Sequence, residues 1–233
     1  MGLLSTPEFW VALAQIIMIN IVLSGDNAVV IALACRSLPA RQQKMAIIFG
    51  SVGAIVLRLV LTFFAVYLLE LPYLKLIGAA LLLWIGIGLL KGDDDEEQLE
   101  GHANLMAAIK TIVVADLVMS LDNVIGVAAA AKGNVPLLAI GLIISIPLII
   151  FGSTLILKLM ARFPVIITLG AGLLGWVAGE MALSDPAIHN WAEHQRTLHM
   201  LAPVLGAALV IATGKYMARM AAQQAGGDGR AAH

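Results

Sequence analysis

NIVLSGDNAVVIA (residues 20–32) and DLVMSLDNVIGVA (residues 116–128) decide the fold, because they are two versions of one pattern. An offset of 96 positions pairs Ser24 with Ser120, Asp26 with Asp122 and Asn27 with Asn123. A second register, offset by 92, pairs Pro72 with Pro164, Gly78 with Gly170 and Trp84 with Trp176. One short match arises easily by chance, but two collinear sets that cover most of each half indicate a duplication. The shift of four residues between registers fits a shorter loop after the second motif.

Each motif sits near the centre of a long apolar run. Runs of about 20 apolar residues are long enough to cross a bilayer. Seven are legible: Phe9 to Leu33, Met45 to Leu69, Leu71 to Leu90, Leu105 to Ala131, Val135 to Leu157, Phe163 to Leu183 and Met200 to Ala222. The composition agrees, with 61% hydrophobic and 12% charged residues in 233, where a soluble domain has roughly half apolar and about a quarter charged. A net charge of −1 supplies no basic field for nucleic acid. The single cysteine, Cys35, excludes an internal disulfide and a thiolate metal cluster. No basic n-region or small-residue cleavage site precedes the first run, so no signal peptide is expected.

The predicted fold is therefore an all-α polytopic membrane protein of seven transmembrane helices, a 3+3 inverted repeat plus one C-terminal helix. Its parts are a first three-helix repeat (1–90), an acidic cytoplasmic loop (91–104), a second repeat (105–183), an external interfacial segment (184–199), a seventh helix (200–222) and a disordered tail (223–233). Three spans per copy is an odd number, so the copies cross in opposite senses. Of the 14 Lys and Arg residues, ten fall on one side, Lys75, Lys132 and Arg196 on the other, and Arg58 within a span. The positive-inside rule then puts the N-terminus outside and the C-terminus in the cytoplasm of a cell with this protein in its inner, plasma membrane.

Inverted repeats of this kind place substrate and ion sites near mid-membrane where the halves meet. A carboxylate at a helix centre costs on the order of 2.5–3.5 kcal/mol, which Asp26, Asp116 and Asp122 each incur. Polar residues can simply tie helices together, but neutral Ser or Asn would do that at lower cost. Asp116, Ser120 and Asn123 fall at i, i+4 and i+7, as do Asn20, Ser24 and Asn27, so each trio lines one helix face. Asp122 is turned about 100° from Asn123 and about 120° from Asp116 on an ideal helix. Either the helix unwinds there, as Gly25 and Gly126 permit, adding carbonyl ligands, or the residue types serve different neighbours.

Oxygen donors without His or Cys suit a hard divalent cation such as manganese, magnesium or calcium better than zinc or copper. Three aspartates offset by Arg58 leave a charge that matches one dication. Met18 and Met119 adjoin the set, as packing residues or as soft ligands that would favour manganese. Arg58 has an apolar counterpart around Ile149 and is suited either to partner an aspartate when the ion is absent or to stabilise a helix kink or a carbonyl. Emptied carboxylates would take up protons, giving cation/proton exchange. The acidic loop reads as a solvated linker or a cation-concentrating mouth. His189, His194 and His199 are five residues apart, which does not put them on one helix face, and with Trp191 they read as an interfacial helix.

The paired motifs LSGDN and DLVMSLDN, each centred in a long span, resemble the TerC family of integral membrane proteins, more closely its YjbE-like branch. The resemblance covers nearly the whole chain. It implies kinship with LysE-type exporters and manganese or calcium exchangers, with Asp26, Asn27, Asp116, Asp122 and Asn123 acting on a cation. It further implies manganese export, in some members linked to tellurium resistance or to metal supply for secreted enzymes, so secretion machinery and a second copy of the chain are conceivable partners beside the lipid bilayer. The first copy departs from the fuller pattern, with Asn20 where the second has Asp116.

No tightly bound cofactor is expected. An exporter of small amino-acid-like solutes would need a cation to hold the substrate carboxylate, and three acids against one arginine favour a cation as cargo. A membrane assembly or stress-resistance factor would not need mid-membrane carboxylates. Neither a nucleophile–base pair nor an HExxH signature is present, so an enzyme is not expected.

Overall fold

The computed structural model describes residues 10, 11, 13, 14, 17, 18, 25–69, 71–91, 101–131, 135–192 and 194–231. Besides helical residues between 10 and 18, they form eight helices in chain order: α1 (Gly25–Cys35), α2 (Ala40–Leu69), α3 (Leu74–Lys91), α4 (Gly101–Ala131), α5 (Val135–Arg162), α6 (Val165–Leu183), α7 (Pro186–Ala192) and α8 (Arg196–Ala231). Six of them, α2 to α6 and α8, are long and apolar enough to cross a membrane, and α1 is a shorter apolar helix. The predicted first span from Phe9 to Leu33 is thus represented by α1 and by helical residues between 10 and 18, while residues 19–24 lie outside the described part.

The surface is apolar where a soluble protein would be polar. Phe49, Val56 and Phe63 on α2, Phe151 on α5 and Leu205 on α8 are all exposed, as a bilayer-facing wall requires. The interior is built by small residues that let helices approach. Gly50 lies on Ile112, Gly53 on Val113, and further along the same two helices Arg58 meets Asp116. The contacts advance in the same direction on both, so α2 and α4 run parallel. Gly175 faces Gly206, and Gly179 faces Ala202, so α6 and α8 run antiparallel with backbones in contact. A Cβ on either Gly175 or Gly179 would overlap a carbonyl of α8, which is the small-xxx-small crossing of membrane helices.

Two features depart from the sequence reading. The helix α8 continues to Ala231, where a disordered tail was predicted from residue 223; the run AAQQA consists of strong helix formers that extend the preceding turns. The segment 184–199 is not one interfacial helix: the seven-residue α7 ends at Ala192 and a new helix begins at Arg196.

Asp185, which sequence reasoning overlooked, fastens this end of the bundle. The α3 helix starts after Tyr73, whose φ of 68° is left-handed and whose side chain cannot cap the helix. Asp185 does so from across the fold. Its Oδ1 accepts from the N–H of Tyr73 at 2.9 Å, and its Oδ2 from Lys75 at 3.0 Å and Leu76 at 3.1 Å. Oδ1 also accepts from Ala187 at 2.8 Å, capping α7 ahead of Pro186. Burial, the largest influence, would raise this carboxyl, but the four N–H donors outweigh it and hold the group below the usual carboxylate range.

Candidate functional site

The close α2–α4 packing delivers Arg58 into the interior, where it is 2% exposed. Its Nη2 meets Asp116 Oδ1 at 2.5 Å, and its Nε donates to Ser120 Oγ at 2.9 Å. Ser120 Oγ in turn donates to Asp116 Oδ2 at 3.2 Å, closing a three-residue ring. The i, i+4 spacing of Asp116 and Ser120 is what puts both on the face turned to α2. One turn further along α2, Thr62 Oγ1 donates to the Arg58 carbonyl at 2.8 Å.

The first motif approaches from the other side. Asn27, 3% exposed on α1, shares with Asp116 a cavity of about 10 Å³ completed by Val30, Ile31 and Ile112. That is the scale of a single water or a stripped ion. Asp26 sits in the first turn of α1, where its Oδ1 accepts from the Asn27 N–H at 2.8 Å, and the fields of both Arg58 and Asp116 reach it. Residues of both motifs therefore converge on one locus between α1, α2 and α4.

Not all of the predicted residues join it in described form. Asn20 and Ser24 lie outside the described residues, and Asp122 is placed only as a position on α4. Asn123 is half-buried on the same face as Asp116 and Ser120. Helix α4 passes unbroken through Asp122 and Gly126, so the second motif is not unwound. Met119 packs into an apolar cluster with Leu82, Leu174 and Met181, and Met18 is 65% exposed. Among the described residues no three His, Cys, Asp or Glu side chains are grouped to hold a metal, and His189, His194 and His199 are exposed. Arg58 is the cation that Asp116 holds in this arrangement.

A bundle of six long apolar helices, with a buried ion pair between α2 and α4, defines a polytopic integral membrane protein. The family described as Integral membrane protein TerC family matches residues 5–222. The chain belongs to the TerC family. It is 43% identical over 209 residues to the Uncharacterized membrane protein YjbE of Bacillus subtilis (strain 168), covering 90% of this chain and 96% of that one. It is 25% identical over 218 residues to YceF of the same organism, covering 89% and 84%. The Tellurium resistance protein TerC of Alcaligenes sp. is 34% identical over 89 residues, which is 37% of this chain and 26% of that protein. No solved structure matches the chain.

Proposed function

We propose that the protein is a secondary transporter that exports a divalent cation, with manganese the best chemical fit, through the locus where the two motifs meet. The observation that carries this reading is the buried Arg58–Asp116 pair beside Asn27 and Asp26. A buried ion pair is a poor way to gain stability, since apolar side chains of equal volume serve as well or better. A pair of this kind is better suited to a switch. Arg58 acts as a tethered cation that neutralises Asp116 between transport events, and an entering dication displaces it to bind the carboxylates of Asp26 and Asp116 with the oxygens of Asn27 and Ser120. Asp122, Asn123, Asn20 and Ser24 complete the set from the rest of the two motifs. Hard oxygen donors favour manganese, magnesium or calcium.

The packing supports a 3+3 inverted repeat beneath this site. Exchanging α1 with α4, α2 with α5 and α3 with α6 turns the α2–α4 contact into α5–α1 and α3–α4 into α6–α1, and both of these contacts exist. The pairs α1–α4, α2–α5 and α3–α6 map onto themselves and are packed as well. Gly78 of α3 lies against Val118 of α4, as its counterpart Gly170 of α6 lies against Val29 and Leu33 of α1. With α1 as part of the first predicted span and α8 as the seventh, these helices fit a seven-span, N-out and C-in arrangement.

An exporter of amino-acid-like solutes is disfavoured because Arg58, the group suited to a substrate carboxylate, is engaged by Asp116. A part in tellurium resistance is favoured by the name of the Alcaligenes relative, and metal export is compatible with it. The test is divalent metal flux across proteoliposomes, with Asp26→Ala and Asp116→Asn beside the wild type. Flux of manganese that both substitutions abolish is expected. A wild type that moves no divalent ion, or variants that move it equally well, would end this reading.

A further inference from the structure

A second polar feature lies one membrane face away from the ion pair. Where the turn after α1 meets the start of α2 and the end of α5, there is a cavity of about 580 Å³ bearing Arg36, Lys44 and Lys158. That volume is on the scale of small-ligand sites. Among the described residues, the lining holds no Asp or Glu. The first turn of α2, Ala40 to Gln43, opens onto the cavity and adds the positive end of the helix dipole.

The lining changes character with depth. Lys44 lies one turn before Ile47 on α2, and Lys158 one turn after Thr154 on α5. Both helices thus pass from a cationic residue at the membrane edge to uncharged ones within it, and Leu157 and Met160 continue the apolar wall. A free anion would use only the rim. A molecule with a phosphate at one end and hydrocarbon at the other would use all of it.

We infer that this cavity binds the phosphate headgroup of an anionic phospholipid, its acyl chains lying along the apolar wall formed by α2 and α5. Basic pockets between membrane helices hold such headgroups by charge, each nearby Lys or Arg strengthening binding about fivefold. The site is separate from the Arg58 locus and does not depend on which ion is carried. Because α1 and α5 pack on each other and α1 bears Asp26, a lipid seated here would also brace one wall of the central site.

The test is native mass spectrometry and thermal unfolding of the full chain in detergent, with added phosphatidylglycerol, phosphatidylcholine or inorganic phosphate. The wild type is expected to retain phosphatidylglycerol in preference to phosphatidylcholine and to gain thermal stability from it. The triple variant Arg36→Gln/Lys44→Gln/Lys158→Gln should bind it about a hundredfold more weakly, while Lys215→Gln/Arg219→Gln, on α8, should bind it normally. Should the triple variant not fold, Lys44→Gln and Lys158→Gln alone, both at exposed side chains, should each weaken retention about fivefold. Equal retention of the two lipids, undiminished retention in the rim variants, or an equal stabilisation by inorganic phosphate alone would overturn the proposal.

Discussion

Arg58 and Asp185 both hold buried charge in place, by different means. Arg58 and Asp116 neutralise one another inside the bundle, so removing one partner leaves the other uncompensated, at a cost of about 3–5 kcal/mol. Arg58→Gln should therefore destabilise the fold by that order, read as a lowered thermal midpoint in metal-free detergent. If Arg58 is a tethered cation, manganese should restore much of the loss, because the ion takes over the neutralisation of Asp116. An unchanged midpoint, or a deficit that manganese does not narrow, would rule the tethered-cation role out. Asp185 is held by four backbone N–H donors. Its folded carboxyl lies below the unfolded value of about 3.9, so its contribution is complete at neutral pH, present above about pH 4, and lost as pH falls through the folded value. Asp185→Asn should cost on the order of 2–3 kcal/mol at pH 7, since an amide cannot accept from both sides. It should also flatten the acid limb of the stability profile. An acid limb identical to the wild type would show that Asp185 does not titrate in this way. The Asp-Pro pair at 185–186 signals the α7 cap in sequence, but the grip on α3 joins residues about 110 apart and needed the fold to be seen.

At the level of helices, the decisive contacts are those between backbones. Gly175 and Gly179 on α6 meet Gly206 and Ala202 on α8 with no room for a side chain. Gly175→Leu must force these helices apart, and overpacking of this kind costs typically about 1–3 kcal/mol, more where backbone opposes backbone. The consequence should be local: limited proteolysis should cleave within α8 while the fragment carrying α1 to α6 persists. Gly88→Leu is the matched control, because nothing lies within 4 Å of a Cβ there. If both variants resist protease equally, the crossing does not hold α8. The apolar runs made the helices readable in sequence, to within a few residues at most ends, because bilayer thickness imposes a minimum length. Which glycines are interfacial was not readable, since Gly88 and Gly86 sit in the same run and only Gly86 touches α6 and α8. The unbroken path of α4 through Gly126 was left open by the sequence for the same reason: a glycine permits a break without requiring one.

For the whole molecule, Asn27 and Asp116, one from each motif, line one small cavity, an arrangement that the proposed inverted repeat would produce. The motif spacing carried no sign that Arg58, absent from the second copy, would take Asp116 rather than Asp26 or Asp122. That choice follows from the parallel register of α2 on α4, a tertiary fact. The asymmetry has a consequence for energy coupling. On the proposed export cycle, Arg58 can return to Asp116 when the dication leaves, but Asp26 would be left facing the same interior with its charge unmatched, and an unmatched carboxylate in a bilayer is costly. A proton is the cheapest neutraliser. Each transport cycle should then carry protons inward as metal moves outward. In proteoliposomes with equal manganese on both sides, a pH gradient alone should drive net manganese movement toward the more acidic compartment, and reversing the gradient should reverse the movement. Asp26→Asn, which needs no proton, should retain at most exchange of manganese for manganese and lose the response to pH. Manganese flux in the wild type that ignores both signs of the gradient would exclude proton coupling while leaving the cation reading intact.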